Sequence, residues 1–183
     1  MSLKPLLRFY RYALAAENYL LLWRTMAAAW HVRRALRDIG RTREITPQFQ
    51  AAIPVIPALY LPAQPGWRIS DPQRIALFAS FMITIPTRWG RCLQRSLIIW
   101  RLLNGYGVPA QLCIGVHRTD ATDGHVWVSR LADHGRAFAE ASDPHQTFLR
   151  IYSSPIPVKT EDRRQKTEDR SQKSEVRSQK SES

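Results

Sequence analysis

The stretch from residue 91 to residue 129 changes from a helical to a strand pattern, and this change limits the folds that the chain can adopt. Its first part has four apolar residues at helical spacing: Leu93, Leu97, Trp100 and Leu103. Asn104-Gly105 then gives the helix an end. Residues 110–117 and 124–129 alternate as strands do, with a polar loop between them. The order predicts an α+β fold in which one helix packs on a small antiparallel sheet.

A third strand is expected after the second. Residues 131–136 contain Asp133 and Gly135, which favour a hairpin turn. The following segment 136–141 (RAFAEA) alternates again. We therefore expect a meander of three strands, with His125 on the second strand and Glu140 on the third.

Cys92 falls in the first turn of the predicted helix. Unpaired backbone N–H groups and the positive end of the helix dipole favour a thiolate there, which is the nucleophilic form of cysteine. The same N–H groups would hold a developing oxyanion. A cysteine in an apolar helix is more often inert packing, so both interpretations stay open on this feature alone.

His125 lies near a strand start and can face the beginning of the helix, while an acid on the neighbouring strand fixes its ring. A Cys/His/acid hydrolase needs this arrangement, because the imidazole takes and returns the proton and the carboxylate holds the productive tautomer. The spacing permits such a site without requiring it.

Three sequence runs carry a family resemblance. They are C-L-x-R-S-L, G-x-P-A-x-L-x-I-G-V and H-x-W-V, at residues 92–97, 107–116 and 125–128. Together they resemble the transglutaminase-like leader peptidases of lasso-peptide biosynthesis, over roughly residues 3–150. The resemblance implies a papain/transglutaminase-like core, Cys92 as nucleophile and His125 as general base. Two cysteines are too few for a disulfide scaffold and the N-terminus lacks the short apolar run of a signal peptide, so we expect a cytoplasmic setting. No Cys/His cluster has zinc-ligand spacing, and we expect neither a metal nor a cofactor.

The same resemblance implies a reaction and partners. The enzyme would remove the leader of a ribosomally made precursor peptide through a thioester acyl-enzyme, and a separate ATP-dependent synthetase would then close the macrolactam ring. In the family, a small recognition domain binds the leader, either fused or separate. Because we see no room for it here, we expect a separate leader-recognition protein. The expected docking surface is the exposed part of the N-terminal helix or a group of basic residues: Arg33, Arg34, Arg37, Arg41 and Arg43.

The acid is where the chain departs from the family pattern, because the turn after H-x-W-V is longer than usual. Anchoring the comparison on Gly135 places Glu140 at the acidic position. Asp143 is the alternative, although on a continuous strand it would face the other side. Trp89 and Trp127 are candidates for substrate contact, with a structural loop and the core as their alternative roles. Cys113, within an apolar run, is expected in the core.

We expect the whole chain to divide into four regions: a helical region 1–45, a Pro-rich connector 46–70 without regular helix, the catalytic core 71–158 and a polar tail 159–183. In the first region, one stripe of residues recurs at helical spacing: Tyr12, Ala16, Tyr19, Trp23, Met26 and Trp30. We expect this helix to pack on the core with Arg33, Arg34 and Arg37 in water. Glu17, Asn18 and Arg24 interrupt any membrane-spanning run, although an interfacial helix stays open.

Charge and repeats narrow the partner classes. With 27 Lys and Arg against 15 Asp and Glu, the chain attracts acidic partners. No basic strand interleaved with aromatic residues is present, so nucleic acid is not expected. The tail 159–183 repeats with a period of seven residues but lacks the apolar seam of a coiled coil, and we expect it to be disordered. The alternatives to a peptidase are a transglutaminase-like acyltransferase and a non-catalytic leader-binding or scaffold protein.

Overall fold

The fold was analysed in a computed structural model, which describes residues 16–37, 52–83, 91–120 and 123–155. The described residues do not include residues 3–15, Trp89, Arg41, Arg43 or the tail 159–183. The helices are α1 (Ala16–Arg37), α2 (Ile56–Leu59), α3 (Gln73–Met82), α4 (Arg91–Gly105) and α5 (Pro144–Thr147), with 3-10 turns at Ile53–Val55 and Leu131–Asp133. The strands are β1 (Ala110–His117), β2 (Gly124–Arg130) and β3 (Phe148–Ser153).

The three strands form an antiparallel sheet in the order β2-β1-β3. The mixed helical and sheet architecture confirms the predicted α+β class. The expected meander is wrong, because β1 is the central strand and the third strand is Phe148–Ser153, which pairs with the far edge of β1.

Residues 136–141 do not form the expected strand. A single bridge joins Ala137 to Ser129, and the Phe138 N–H donates to the Val128 carbonyl at 2.7 Å. Ala139 then has a φ of 57°, which a continuing strand cannot accommodate. The segment therefore follows β2 for two residues and turns away before Glu140.

Helix α4 forms the centre of the core. Its middle is buried on nearly all sides, because α1, α3 and the inner face of the sheet surround it. Polar bonds fix the helix on the sheet: Ser96 Oγ donates to the Val126 carbonyl at 2.7 Å, and Trp100 Nε1 donates to the Ala110 carbonyl at 3.1 Å. These contacts hold the start of α4 beside the start of β2.

The expected packing face of α1 is wrong. Four of the large residues predicted to pack inward are 43–54% exposed: Tyr19, Trp23, Met26 and Trp30. The buried face consists of Leu21, Ala28, Ala29, Val32 and Leu36. Small alanine side chains let α1 approach α3 and α4 closely, whereas rings at those positions would hold the helices apart.

Arg33 also differs from the expectation of a solvated residue. Its side chain is partly buried, and Nη2 donates to the Met82 carbonyl at 2.8 Å. This bond joins α1 to the end of α3.

Residues at the helix starts explain how the segment before α4 folds. Helix α3 begins directly after Asp71-Pro72, and Asp71 Oδ1 accepts the Gln73 N–H at 2.9 Å. Short helices nevertheless form in the Pro-rich connector, because Pro54 and Pro57 occupy first-turn positions where no N–H partner is required. Within the described ranges, no helix is both long and apolar enough to cross a bilayer.

Candidate active site

Cys92 is the second residue of α4, in the first turn, as the sequence predicted. Its side chain is only partly buried and its thiol is free. The position places the sulfur where unpaired helical N–H groups favour negative charge.

His125 is the second residue of β2, and its ring is hydrogen-bonded to Cys92. On the other side, His125 Nε2 lies 3.5 Å from Glu140 Oε2. The imidazole therefore lies between the Cys92 side chain and the Glu140 carboxylate.

Aromatic rings fix the plane of the His125 ring. Phe148 of β3 lies 5.3 Å away between ring centroids with an interplanar angle of 29°. Trp127 lies 6.2 Å away and is nearly parallel, at 14°. Trp127 is fully buried and also contacts His145 edge-on, so it supports the histidine from within the fold.

Glu140 reaches the site from the loop after β2, not from a strand. Its carboxylate is shared between two partners: Oε2 faces His125, and Oε1 accepts from Arg95 Nη1 at 2.7 Å. Asp143 has a different contact, because its side chain caps α5 by accepting the His145 N–H at 3.1 Å. The structure thus brings Glu140, the first of the two sequence candidates, to the histidine.

Arg95 is the contact that sequence reasoning did not assign to the site. Besides its bond to Glu140, its Nη2 donates to the Ala139 carbonyl at 2.6 Å, and its Nε donates to Ser80 Oγ at 3.1 Å. Two signals were available. Arg95 is three residues after Cys92, hence on the same helix face, and it is the arginine of the run C-L-x-R-S-L.

The charged forms of His125 and Glu140 stabilise each other. The hydrogen bond with Cys92 and then that with Glu140 raise the pKa of His125 to about 9, against the opposing effect of burial. Burial pushes the pKa of Glu140 upward, but the hydrogen bonds and charges of His125 and Arg95 outweigh it, so this pKa lies below its ordinary value. At neutral pH the site therefore holds an imidazolium next to a carboxylate, and an imidazolium is the counterion that a thiolate requires.

Cys113 lies in a different environment. It is fully buried on β1, both cysteines are free thiols, and burial raises the pKa of the Cys113 thiol. The thiol form is the one that such an environment favours, and it is a poor nucleophile.

A thiol, an imidazole and a carboxylate connected in this order form the type of site that cysteine hydrolases and acyltransferases use. Comparison with protein families agrees with this class. Residues 63–153, which contain all three groups, match the family model of the transglutaminase-like superfamily. Over this range the chain resembles a transglutaminase-like domain, and that superfamily consists generally of cysteine hydrolases and transferases. Searches of curated proteins and of solved structures found no match.

Proposed function

We propose that this protein is a cysteine peptidase that removes the leader from a lasso-peptide precursor, with Cys92 as nucleophile, His125 as general base and acid, and Glu140 as orienting group. The observation that carries the enzymatic part is the connected series Cys92, His125 and Glu140. The three runs that resemble lasso-peptide leader peptidases support the pathway.

The first half of the reaction forms a thioester. The Cys92 thiolate attacks the carbonyl carbon of the leader–core bond, and backbone N–H groups at the start of α4 stabilise the oxyanion. As the C–N bond breaks, the His125 imidazolium gives its proton to the departing amine of the core peptide. The leader is then held on sulfur as an acyl-enzyme.

The second half releases the leader. Neutral His125 takes a proton from water, the water oxygen bonds to the thioester carbon, and the C–S bond breaks to regenerate the thiolate and imidazolium. Glu140 keeps the ring in one orientation in both steps and stabilises its positive charge.

Two other functions use the same site differently. A transglutaminase-like acyltransferase would pass the acyl group to an amine instead of water, and the product would identify it. A leader-binding or scaffold protein would need no reactive thiol. The hydrogen-bonded thiol, imidazole and carboxylate favour an enzyme, because binding alone requires none of the three.

The proposal includes three partners: the precursor peptide, a separate leader-recognition protein and an ATP-dependent macrolactam synthetase. A peptide held at two places has a higher effective concentration at the active site. Cleavage at micromolar substrate should therefore depend on the recognition protein.

The experiment is a cleavage assay of the precursor with and without the recognition protein, read by mass spectrometry. We expect leader and core fragments from the wild type and from Cys113→Ala, and none from Cys92→Ala. The Cys113 variant is the matched control, since it removes the other thiol of the same chain. Full cleavage by Cys92→Ala would refute the mechanism, and equal rates without the partner would refute the delivery role.

A further inference from the structure

A basic pocket lies away from Cys92, between α1, the segment before α3 and the end of α4. Its volume is about 340 Å³, which is in the range of ligand-binding pockets. Three arginines line it together with a tyrosine: Arg24, Arg68, Arg74 and Tyr106. Arg74 has contacts of its own, among them a bond from Nη1 to Asn18 Oδ1 at 3.4 Å. The positive charges of Arg24 and Arg68 therefore favour an anion in the pocket.

Arg24 is held in position without being neutralised. Its Nη1 donates to the Tyr106 hydroxyl at 3.0 Å, and its guanidinium carbon lies 4.0 Å from the ring centroid of Trp67. These contacts orient the planar group, and a preorganised guanidinium loses less entropy when it binds a carboxylate. In the described part of the chain, neither Arg24 nor Arg68 forms an ion pair with a carboxylate.

One exposed apolar side chain lines the same pocket, and another lies on α1 next to a lining residue. Leu20 lines it and is 54% exposed. Trp23, next to Arg24 in α1, is equally exposed and packs edge-on against Tyr19. A small inorganic anion would leave these side chains in water, whereas a peptide segment with acidic and apolar residues would contact both the arginines and the apolar border.

The pocket and the candidate active site lie at opposite ends of one helix. Cys92 is in the first turn of α4, and Tyr106 directly follows its last residue. At the helical rise per residue, the two are roughly 20 Å apart along the helix axis. An extended peptide covers that distance with about six residues.

We propose that this pocket binds an acidic segment of the peptide substrate, at least about six residues from the bond that is cleaved. The identity of the ligand as substrate rests on the proposed function, whereas the binding itself does not. The carboxylates would pair with Arg24 and Arg68, and neighbouring apolar residues of the segment would cover Leu20 and Trp23. The pocket thereby selects which peptides reach Cys92.

The test uses a fluorescein-labelled peptide of alternating glutamate pairs and leucines, with fluorescence anisotropy as readout and the full-length Cys92→Ala protein as binder, so that no cleavage interferes. A matched peptide has glutamine at every glutamate. The variant is Arg68→Glu, since Arg68 is exposed, and the control is Arg37→Glu, which makes the same charge change at the other end of α1. Thermal midpoints verify that both variants fold.

We expect the glutamate peptide to bind, with an affinity that falls as salt is added. Arg68→Glu should weaken it at least about tenfold, the effect of losing one charge-assisted hydrogen bond, while Arg37→Glu should change it little. Three results would overturn the proposal: equal binding of the glutamine peptide, equal weakening by both variants, or tighter Arg68-dependent binding of a single-stranded RNA of the same charge. If the probe binds in this way but the wild type cleaves no precursor, the proposed function fails and the pocket assignment stands.

Discussion

Replacing Arg95 with lysine should separate the positioning of Glu140 from its charge. The guanidinium donates to the Glu140 carboxylate, the Ala139 carbonyl and Ser80 Oγ, at 2.7, 2.6 and 3.1 Å. Lysine keeps the positive charge but has one nitrogen in place of three, in a different geometry. The variant would therefore lose the fixed link between α3, α4 and the loop that carries Glu140.

The expected size follows from the bonds that are lost. If lysine keeps the contact with Glu140, the bonds to the Ala139 carbonyl and to Ser80 disappear, which costs about 2–3 kcal/mol in free energy of unfolding. The loop then releases the left-handed Ala139 and moves the carboxylate from His125. A misplacement of this kind costs on the order of a hundredfold in kcat, and KM should stay nearly unchanged because Arg95 is not proposed to bind the peptide.

The assay measures kcat and KM on the precursor, with urea unfolding in parallel. The matched control is Arg101→Lys, since Arg101 is also on α4 and donates to the Leu59 carbonyl at 2.6 Å, away from the site. It should lower stability and leave kcat unchanged. In a Glu140→Gln background, Arg95→Lys should have little further effect on kcat, because both changes act through the same carboxylate.

Two outcomes would refute this reasoning. If Arg95→Lys loses stability but keeps its kcat, the arginine serves the fold alone. If Arg101→Lys lowers kcat equally, the loss reflects general destabilisation and not the position of Glu140.

Three further predictions concern the candidate active site. In steady-state kinetics on the precursor, His125→Ala should reduce kcat as much as Cys92→Ala does, Glu140→Gln should reduce it less, and Asp143→Asn should change it little. If Asp143→Asn instead abolishes activity and Glu140→Gln leaves kcat unchanged, Asp143 is the acid. In a pH profile, kcat/KM should fall above pH about 9, where His125 loses its proton. Glu140→Gln should move this fall to lower pH, because the carboxylate raises the pKa of the imidazole. A fall at the same pH in both proteins would contradict the pairing of His125 with Glu140. The pKa of His125 in the folded protein is raised from 6.5 to about 9. Its contribution to the free energy of unfolding should therefore be complete below pH 6.5 and disappear as the pH rises through 9. Urea titrations of the wild type and His125→Ala at several pH values measure this contribution, and a contribution that grew with pH would contradict the prediction.

The sequence was sufficient for the elements whose local signals agree with their packing. Helix α4 has an apolar pattern, a defined end and a cysteine in its first turn, and strands β1 and β2 alternate as half-buried strands do. Here the periodicity of the side chains and their burial describe the same face. Cys92, His125 and Glu140 followed from these elements together with the family resemblance.

Where the prediction was wrong, competing local signals were equally good. Helix α1 has two apolar faces, and the larger side chains suggested the wrong one as the buried face. Which face is buried depends on how closely α1 can approach α3 and α4, and this distance is set by the packing of the whole core. In residues 136–141 the alternation was real, but the backbone of Ala139 turns to deliver Glu140. Tertiary contacts of Arg95, not local preference, hold that turn.

The most direct measurement of the central claim is the rate at which iodoacetamide alkylates each cysteine at neutral pH, followed by peptide mapping. It needs no precursor and reports on the thiolate that His125 is proposed to stabilise. We predict rapid modification of Cys92 in the wild type, much slower modification of Cys92 in His125→Ala, and an unmodified Cys113 in both folded proteins. Equal rates at Cys92 with and without the histidine, or equal labelling of the two cysteines, would contradict the account.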